Sequence, residues 1–469
     1  MGRSWPFAVC VALAVGAFAP SACASGPDYS APGPYEAGRR VVTVTRADGS
    51  SFTAEVVYPA VSRGDNAPMA PGGAWPSVSF GHGFVTPVSQ YRGTLEHLAS
   101  WGFLAIASTS EGGFFPSHAR FASDLSRCLT WLEDRHADPG SFLFGRVDVG
   151  AFAVSGHSMG GGASILSAAS DGRVRAVVPL APAETNPSAV GASAGLSAPV
   201  LMICGDADAI VPTGTNGARM YGATPRARRL ASLAGGFHCG FIDGGMIGCD
   251  ASGGMTRADQ LRLTRGLMTA WLTVYLTDEG AGAMAWLGVW GPGGAGDPRV
   301  SVQRDARAEV TTAEGEVEGT WGRGVELSGE VLNTGPVASG YEVVVQAGGV
   351  VVGSAVVGPV APGGAAPWVL RAGSDGVTWA GNPTAAGVVV SARSLADGGT
   401  RAWAGVMVSW FCPADVNRDG FIDFFDVDVF VSCFEGEGCG EGVVADFNGD
   451  GFVDFFDLDA FAGAFGAGC

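Results

Sequence analysis

One stretch limits what this chain can fold into more than any other. It is V-D-V-G-A-F-A-V-S-G-H-S-M-G-G-G-A-S-I-L-S-A-A-S, residues 147–170. Val147, Val149, Ala151, Phe152, Ala153 and Val154 read as a buried strand, and Gly156-His157-Ser158-Met159-Gly160 follows directly. A helix-forming run of small residues comes next. The pentapeptide fits G-x-S-x-G, a strained strand-to-helix turn that lifts a serine hydroxyl out of a sheet. Glycines flank the serine because side chains there would collide with the neighbouring strand and helix. The turn places Ser158 at a helix N-terminus, where the Met159 N–H can face a developing oxyanion. A Gly-rich turn with an incidental serine is the bland alternative, and the strand before and helix after weigh against it.

A serine nucleophile needs a base, and the base needs an orienting carboxylate. On a sheet of this kind the chain order is Ser, then Asp or Glu, then His. Of the six histidines (His82, His97, His118, His136, His157 and His238) only His238 lies beyond the elbow. It sits in Gly235-Gly236-Phe237-His238-Cys239, just past an expected strand. The acid belongs after the strand ending at Cys204, where Gly205-Asp206-Ala207-Asp208-Ala209-Ile210-Val211-Pro212 offers Asp208, with Asp206 as competitor.

The surrounding residues supply a sheet and its covering helices. Residues 41–45 and 52–58 alternate about Asp48-Gly49, a hairpin pattern. Strands are expected at 78–80, 103–107, 174–180, 200–204 and 229–233. Helices are expected at 91–101, through Leu125, Leu129 and Leu132, and through Leu263, Leu267, Trp271 and Val274. Strands alternating with helices imply a mostly parallel sheet covered on both faces.

The first residues read as a targeting segment. Met1-Gly2-Arg3 is followed by an apolar run from Pro6 to Ala19 and by Ala22-Cys23-Ala24, a small-residue cleavage pattern. A lipid anchor at Cys23 is the weaker alternative. Residues 1–24 are therefore expected to be removed, residues 25–38 to be a disordered linker, and the mature protein to be secreted or surface-associated. In such a compartment cysteines can pair. Cys239 and Cys249 flank a short Gly-rich loop, and Cys412 with Cys469 and Cys433 with Cys439 are the favoured terminal pairs. Cys128 and Cys204 are expected as buried thiols. The net charge of −18 argues against a nucleic-acid partner, and no later stretch reads as transmembrane.

Beyond residue 290 the texture changes. Val-rich alternating runs between 300 and 410, separated by Asn333-Thr334-Gly335 and Pro362-Gly363-Gly364, suggest a β-sandwich over 295–410. Residues 412–469 hold 13 of the acids, one arginine and a repeat of period 31. Each copy is a twelve-residue oxygen-rich loop with glycine at its sixth position. The first offers Asp415, Asn417, Asp419, the Phe421 carbonyl, Asp423 and Asp426. The second offers Asp446, Asn448, Asp450, the Phe452 carbonyl, Asp454 and Asp457. That pattern suits two Ca²⁺ sites, and no cofactor is expected for catalysis.

Two resemblances give these patterns a family. Gly156-His157-Ser158-Met159-Gly160-Gly161-Gly162, His82-Gly83-Phe84, Leu98-Ala99-Ser100-Trp101-Gly102-Phe103, Asp206-x-Asp208-x-Ile210-x-Pro212 and Gly236-x-His238 resemble the α/β-hydrolases that include polyester hydrolases, cutinase-like esterases and chlorophyllases. The likeness implies a serine carboxylic-ester hydrolase over 39–285 with an α/β-hydrolase fold. It also implies a Ser158–Asp208–His238 triad, an oxyanion hole from the Phe84 and Met159 N–H groups, and a Phe84 ring lining the substrate cleft. Ala183 stands where polyester hydrolases carry tryptophan, so short soluble esters are expected to outrun aromatic polyester. The terminal repeat resembles dockerin modules, with Phe424-Phe425 and Phe455-Phe456 where these usually carry small hydroxyl residues. It implies a small α-helical calcium-binding module and a cohesin-like or cell-surface partner. A surface-docking protein with a vestigial hydrolase domain is the rival reading.

Overall fold

The computed structural model describes residues 27–224, 228–250, 253–277, 282, 285 and 297–467, apart from 306–307, 314–315, 321–323, 335–336, 348–349, 374–383, 397–400 and 440–443. The leader expected over residues 1–24 lies outside them. Strands β1 (Glu36–Thr45) and β2 (Ser51–Ala60) form the expected hairpin, with Thr45 paired to Ser51 and Gly49 at φ 83° in the turn. After the two-residue β3 (Gly64–Asp65) the chain alternates between strand and helix. In order these are β4 (Trp75–Gly81), α1 (Arg92–Ser100), β5 (Leu104–Ser108), α2 (His118–Ala137), β6 (Val147–His157), α3 (Met159–Ser170), β7 (Val174–Leu180) and α4 (Ala189–Ser193). Then come β8 (Val200–Gly205), α5 (Gly217–Ala223), β9 (Arg228–Leu233) and α6 (Arg257–Leu276).

Ten strands join in one sheet in the order β10-β9-β8-β7-β6-β4-β5-β2-β1-β3, with β10 at Val300–Asp305. The centre from β5 to β9 is parallel, while β2 and β10 flank it antiparallel. Its middle strands are buried on both faces, which is why their sequences run apolar without polar alternation. Successive residues serve opposite cores. Val57, Ala105 and Ala107 pack with Leu95 and Leu98 of α1 and Leu263, Leu267 and Trp271 of α6. Val56, Leu104 and Ile106 pack with Leu129 and Leu132 of α2 and Ile165 of α3. The stripes read from the sequence are thus the buried faces.

Two expectations need correction. Residues 27–35 are not loose. Tyr29 is buried with Ala270 and Val274 of α6 and against Trp101 at 4.5 Å between ring centroids. The Gly33 and Tyr35 amides bond Ser100 at 2.9 and 3.1 Å. The Pro/Gly/Ala/Ser composition hid two tyrosines able to anchor the segment. Strand β10, placed by texture in the second section, instead completes the hydrolase-like sheet by pairing Val300 with Leu233 through Asp305 with Arg228.

The rest of the middle section supplies β11 (Ala308–Thr312), β12 (Glu316–Thr320), β13 (Val325–Asn333), β14 (Ser339–Ala347), β15 (Val350–Val360), β16 (Ala365–Ala372), β17 (Thr384–Ser394) and β18 (Arg401–Phe411), which form two sheets, β11-β13-β16 and β12-β18-β17-β14-β15. Leu327, Val331 and Trp368 of the first share one core with Tyr341, Val343, Val390 and Trp410 of the second. The terminal repeat carries α7 (Phe424–Phe434) and α8 (Phe455–Ala467) around three rings, Phe430, Phe447 and Phe461. Phe430 and Phe461 stack at 4.2 Å. No helix among the described residues is long and apolar enough to cross a membrane.

Candidate active site

The elbow forms where the sequence places it. β6 ends at His157, α3 begins at Met159, and Ser158 between them has φ 56° and ψ −119°. A non-glycine residue pays strain for that conformation. Close packing holds it there. A Cβ on Gly156 would lie 2.4 Å from the Gly160 carbonyl oxygen, and one on Gly160 would lie 2.1 Å from that of Gly81. No larger residue fits either position. The Ser158 N–H donates to the Leu180 carbonyl at 2.9 Å, and its own carbonyl accepts from Ala183 N at 3.0 Å. Met159 occupies the first position of α3, where helical N–H groups have no intrahelical acceptor.

Asp208 and His238 meet across two loops. His238 Nδ1 lies 2.7 Å from Asp208 Oδ2, both side chains buried. The other Asp208 oxygen accepts from the amides of Ile210 and Val211 at 2.9 and 2.7 Å, which fixes the carboxylate. Asp206 does different work. It accepts the Gly235 N–H at 2.7 Å and so ties the acid loop to the base loop. These loops touch backbone to backbone, and a Cβ added at Gly205 would lie only 2.3 Å from the Gly236 carbonyl oxygen. Glycine at 205 is therefore a condition of the His238–Asp208 approach. The His157 ring, next to Ser158 in the chain, lies 4.5 Å from the His238 ring, so the pair stands beside the elbow.

Several residues that hold this arrangement carry no pattern in the sequence. Asp250 accepts both the His238 and Cys239 amides, at 2.7 and 2.8 Å, and the Cys239–Cys249 disulfide closes the same loop. Buried Gln260 of α6 bonds both the N–H and the carbonyl of Phe237. Tyr91, fully buried, takes the Gly83 N–H on its hydroxyl at 2.9 Å and lies 2.9 Å from His157 Nδ1. One phenol thus joins the loop before Phe84 to the elbow. Burial, and then the neighbouring His238, hold the His157 pKa well below its ordinary value. A neutral His157 adds no charge against an imidazolium forming on His238.

Phe84 is half exposed at the loop's end, and its carbonyl accepts from the Thr86 hydroxyl at 3.1 Å. His82 braces the same loop, with Nδ1 2.8 Å from the Gly83 carbonyl and Nε2 2.9 Å from that of Ser110. Cys128 and Cys204 are buried thiols.

The terminal loops share their main bonds, the Gly449 amide to Asp446 being the one without a counterpart among those described. Asp415 accepts the Gly420 amide and Asp446 the Gly451 amide, at 3.1 and 2.9 Å. Asp426 accepts from the Asn417 and Asp423 amides, as Asp457 does from Asn448 and Asp454. Gly420 and Gly451 have φ of 92° and 91°, the left-handed turn that glycine supplies. The donors are all oxygens, a set that suits a hard cation. Among the described residues no three His, Cys, Asp or Glu side chains are gathered as a metal-holding group. Cys433 and Cys439 are joined as expected. Cys412 is disulfide-bonded, and its expected partner Cys469 lies outside the described residues.

Comparison with known proteins places the likeness in the first half of the chain. The profile of a family described as PET hydrolase-like matches residues 28–246. Cutinase est1 of Thermobifida alba is 29% identical over 157 residues, 34% of this chain and 50% of that protein. Bis(hydroxyethyl) terephthalate hydrolase of Streptomyces coelicolor is 27% identical over 201 residues, 43% of this chain and 59% of its own length. A cutinase of Thermobifida fusca is 29% identical over 229 residues, 48% of this chain and 70% of that protein. The chain thus spans between 50% and 70% of the length of these three relatives. The matched profile ends at residue 246, before the paired sheets and the terminal repeat.

Proposed function

We propose that the chain is a carboxylic-ester hydrolase working through Ser158, His238 and Asp208. The observation that carries this reading is the 2.7 Å His238–Asp208 contact beside a serine held at φ 56° on a strand-to-helix turn. Ser158 Oγ attacks the ester carbonyl and passes its proton to His238 Nε2. The imidazolium then gives that proton to the departing alcohol. Water, deprotonated by His238 in turn, releases the acid. Asp208 orients the ring through Nδ1 and stabilises its charge. The N–H groups of Phe84 and Met159 hold the oxyanion, at the braced loop and the helix N-terminus respectively. The similarity to cutinases and a terephthalate-ester hydrolase supports ester over amide chemistry.

The protein is proposed to be secreted, given its leader-like first residues and two disulfides. The middle section is taken as a β-sandwich, supported by its two sheets around one core. The terminal repeat is taken as a dockerin-like module in which two Ca²⁺ ions draw together Asp415, Asn417, Asp419, Asp423 and Asp426, and their counterparts from Asp446 to Asp457. Its exposed Phe424, Phe425, Phe455 and Phe456 suit a surface-bound protein partner.

The test of the catalytic reading is hydrolysis of p-nitrophenyl butyrate by the full chain and by Ser158→Ala. The reading expects a loss of kcat of about 10³-fold or more with the fold retained. Comparable turnover by the folded variant would remove Ser158 from the mechanism.

A further inference from the structure

The chain between the catalytic base and α6 returns to the opposite side of the site. His238 opens a short 3-10 turn, His238–Phe241, whose His238 and Cys239 amides are held by Asp250 at 2.7 and 2.8 Å. Phe241 and Ile242 follow, both buried in the core that backs the sheet, and the Phe241 ring lies 5.6 Å from the His157 ring. The next residue, Asp243, reaches the segment that leads into α1.

A clasp closes there. The Asp243 amide donates to the Gln90 carbonyl at 2.7 Å, and the Gly244 amide donates to Gln90 Oε1 at 3.0 Å. Asp243 Oδ2 accepts the Gly93 N–H at 2.7 Å, and Oδ1 accepts from the Arg265 guanidinium of α6 at 2.8 Å. Arg265 also donates to the Thr94 hydroxyl at 3.2 Å. A Cβ added at Gly93 would lie 2.6 Å from Asp243 Oδ1, so position 93 lacks a side chain where the carboxylate enters. Burial lowers the Arg265 pKa and the Asp243 charge works against that shift, so the carboxylate meets a partly desolvated cation. One side chain thus ties the base loop, the first turn of α1 and α6 together.

Gln90 and Gly93 stand on either side of Tyr91 and Arg92. Tyr91 is the residue whose hydroxyl takes the Gly83 N–H and meets His157. The contacts therefore run in a ring. They pass from His238 along its loop to Asp243, across to Gln90 and Gly93, and through Tyr91 to Gly83 and the adjoining Phe84 amide. They return by way of His157, whose ring is 4.5 Å from that of His238. We propose that Asp243 is a positioning residue of the oxyanion loop, holding Tyr91 in place from the base loop so that one clasp sets the base and the oxyanion donor together. This rests on the ester-hydrolase reading above. Asp243 acts through Tyr91 and not on the substrate. Its effect falls on the chemical step rather than on binding, because the oxyanion forms only after attack.

The test is a double-mutant cycle on p-nitrophenyl butyrate with the full-length protein. Native, Asp243→Ala, Tyr91→Phe and the double variant are assayed well below each one's melting temperature. Asp243→Ala should lower kcat about fivefold, with KM within about twofold of native. In the Tyr91→Phe background the same change should cost less than about twofold, because the link it acts through is already cut. A lower melting temperature with native kcat in the folded variant would overturn the proposal, since the carboxylate would then only stabilise the fold. Equal losses of kcat in the two backgrounds would overturn it too, by showing a route that bypasses Tyr91. A raised KM with kcat kept would place Asp243 in substrate binding and refute its positioning role. Should Asp243→Ala not fold, Asp243→Asn goes through the same cycle with the same non-additivity expected. It keeps an oxygen for the Gly93 amide and loses the charge that meets Arg265. Native protein without turnover refutes the ester reading and the clasp together, whereas native turnover with kcat unaffected by the change refutes the clasp alone.

Discussion

Tyr91→Phe removes one oxygen and disturbs both sides of the catalytic cleft. In the native protein that oxygen accepts the Gly83 N–H and lies 2.9 Å from His157 Nδ1. Both partners are buried, and a Gly83 Cβ would lie only 3.0 Å from the Tyr91 oxygen, so the loop is packed tightly against it. The phenylalanine ring still fills the core, and burial raises the native phenol's pKa, which keeps it a neutral hydrogen-bonding group. The change is therefore confined to hydrogen bonding. Leaving each buried partner unpaired costs about 1–3 kcal/mol, so stability should fall by about 2–6 kcal/mol. The catalytic effect travels through Gly83 to the adjoining Phe84 amide, the proposed oxyanion donor. A loosened donor should cost less than a deleted one, for which losses of about 10²–10³-fold are typical. We expect kcat on p-nitrophenyl butyrate to fall about tenfold with KM nearly unchanged, because the interaction matters most when the oxyanion forms. Kinetics and thermal unfolding on the same preparation measure both effects. A kcat within about twofold of native, in a variant that is destabilised, would refute the link from Tyr91 to the oxyanion loop.

Three further predictions follow from the same contacts. Asp208→Asn should lower kcat far more than Asp206→Asn, because Asp208 meets His238 while Asp206 meets only the Gly235 amide; the reverse order would move the acid. Stability should fall as pH drops from about 6.5 toward 4. Burial lowers the His97 pKa from 6.5 to about 4, so over that window the unfolded chain binds the extra proton and folding loses up to about 3 kcal/mol. His97→Gln should flatten this slope in pH-dependent denaturant melts, and an unchanged slope would show that His97 does not carry it. Chelation should melt the terminal repeat in calorimetry of the full chain while esterase activity survives, since its core is three phenylalanine rings; loss of activity on chelation would join the module to the catalytic section.

What the sequence conveyed and what it withheld divide along physical lines. Periodicity located β4 through β9 and the buried stripes of α2 and α6, because a sheet covered on both faces imposes long apolar runs. Chain order confined the acid to Asp206 or Asp208, the family resemblance favoured Asp208, and it is the Asp208 carboxylate that lies against His238. Tyr91, Asp250 and Gln260 were invisible because each acts on residues distant in sequence through one or two hydrogen bonds, which leave no periodic trace. Strand β10 was misplaced because an antiparallel edge strand reads like the Val-rich strands after it. Tyr29 and Tyr35 anchor a segment whose Pro/Gly/Ala/Ser composition reads as linker.

The most direct measurement of the central claim is covalent capture. The full-length protein would be treated with a fluorophosphonate ester, which phosphonylates an activated serine, and the adduct mapped by peptide mass spectrometry. The account predicts one modified residue, Ser158, labelled rapidly in the native protein and at least about 10²-fold more slowly in His238→Ala, where no base activates the hydroxyl. Labelling at another serine, or labelling of Ser158 at the same rate without His238, would contradict it.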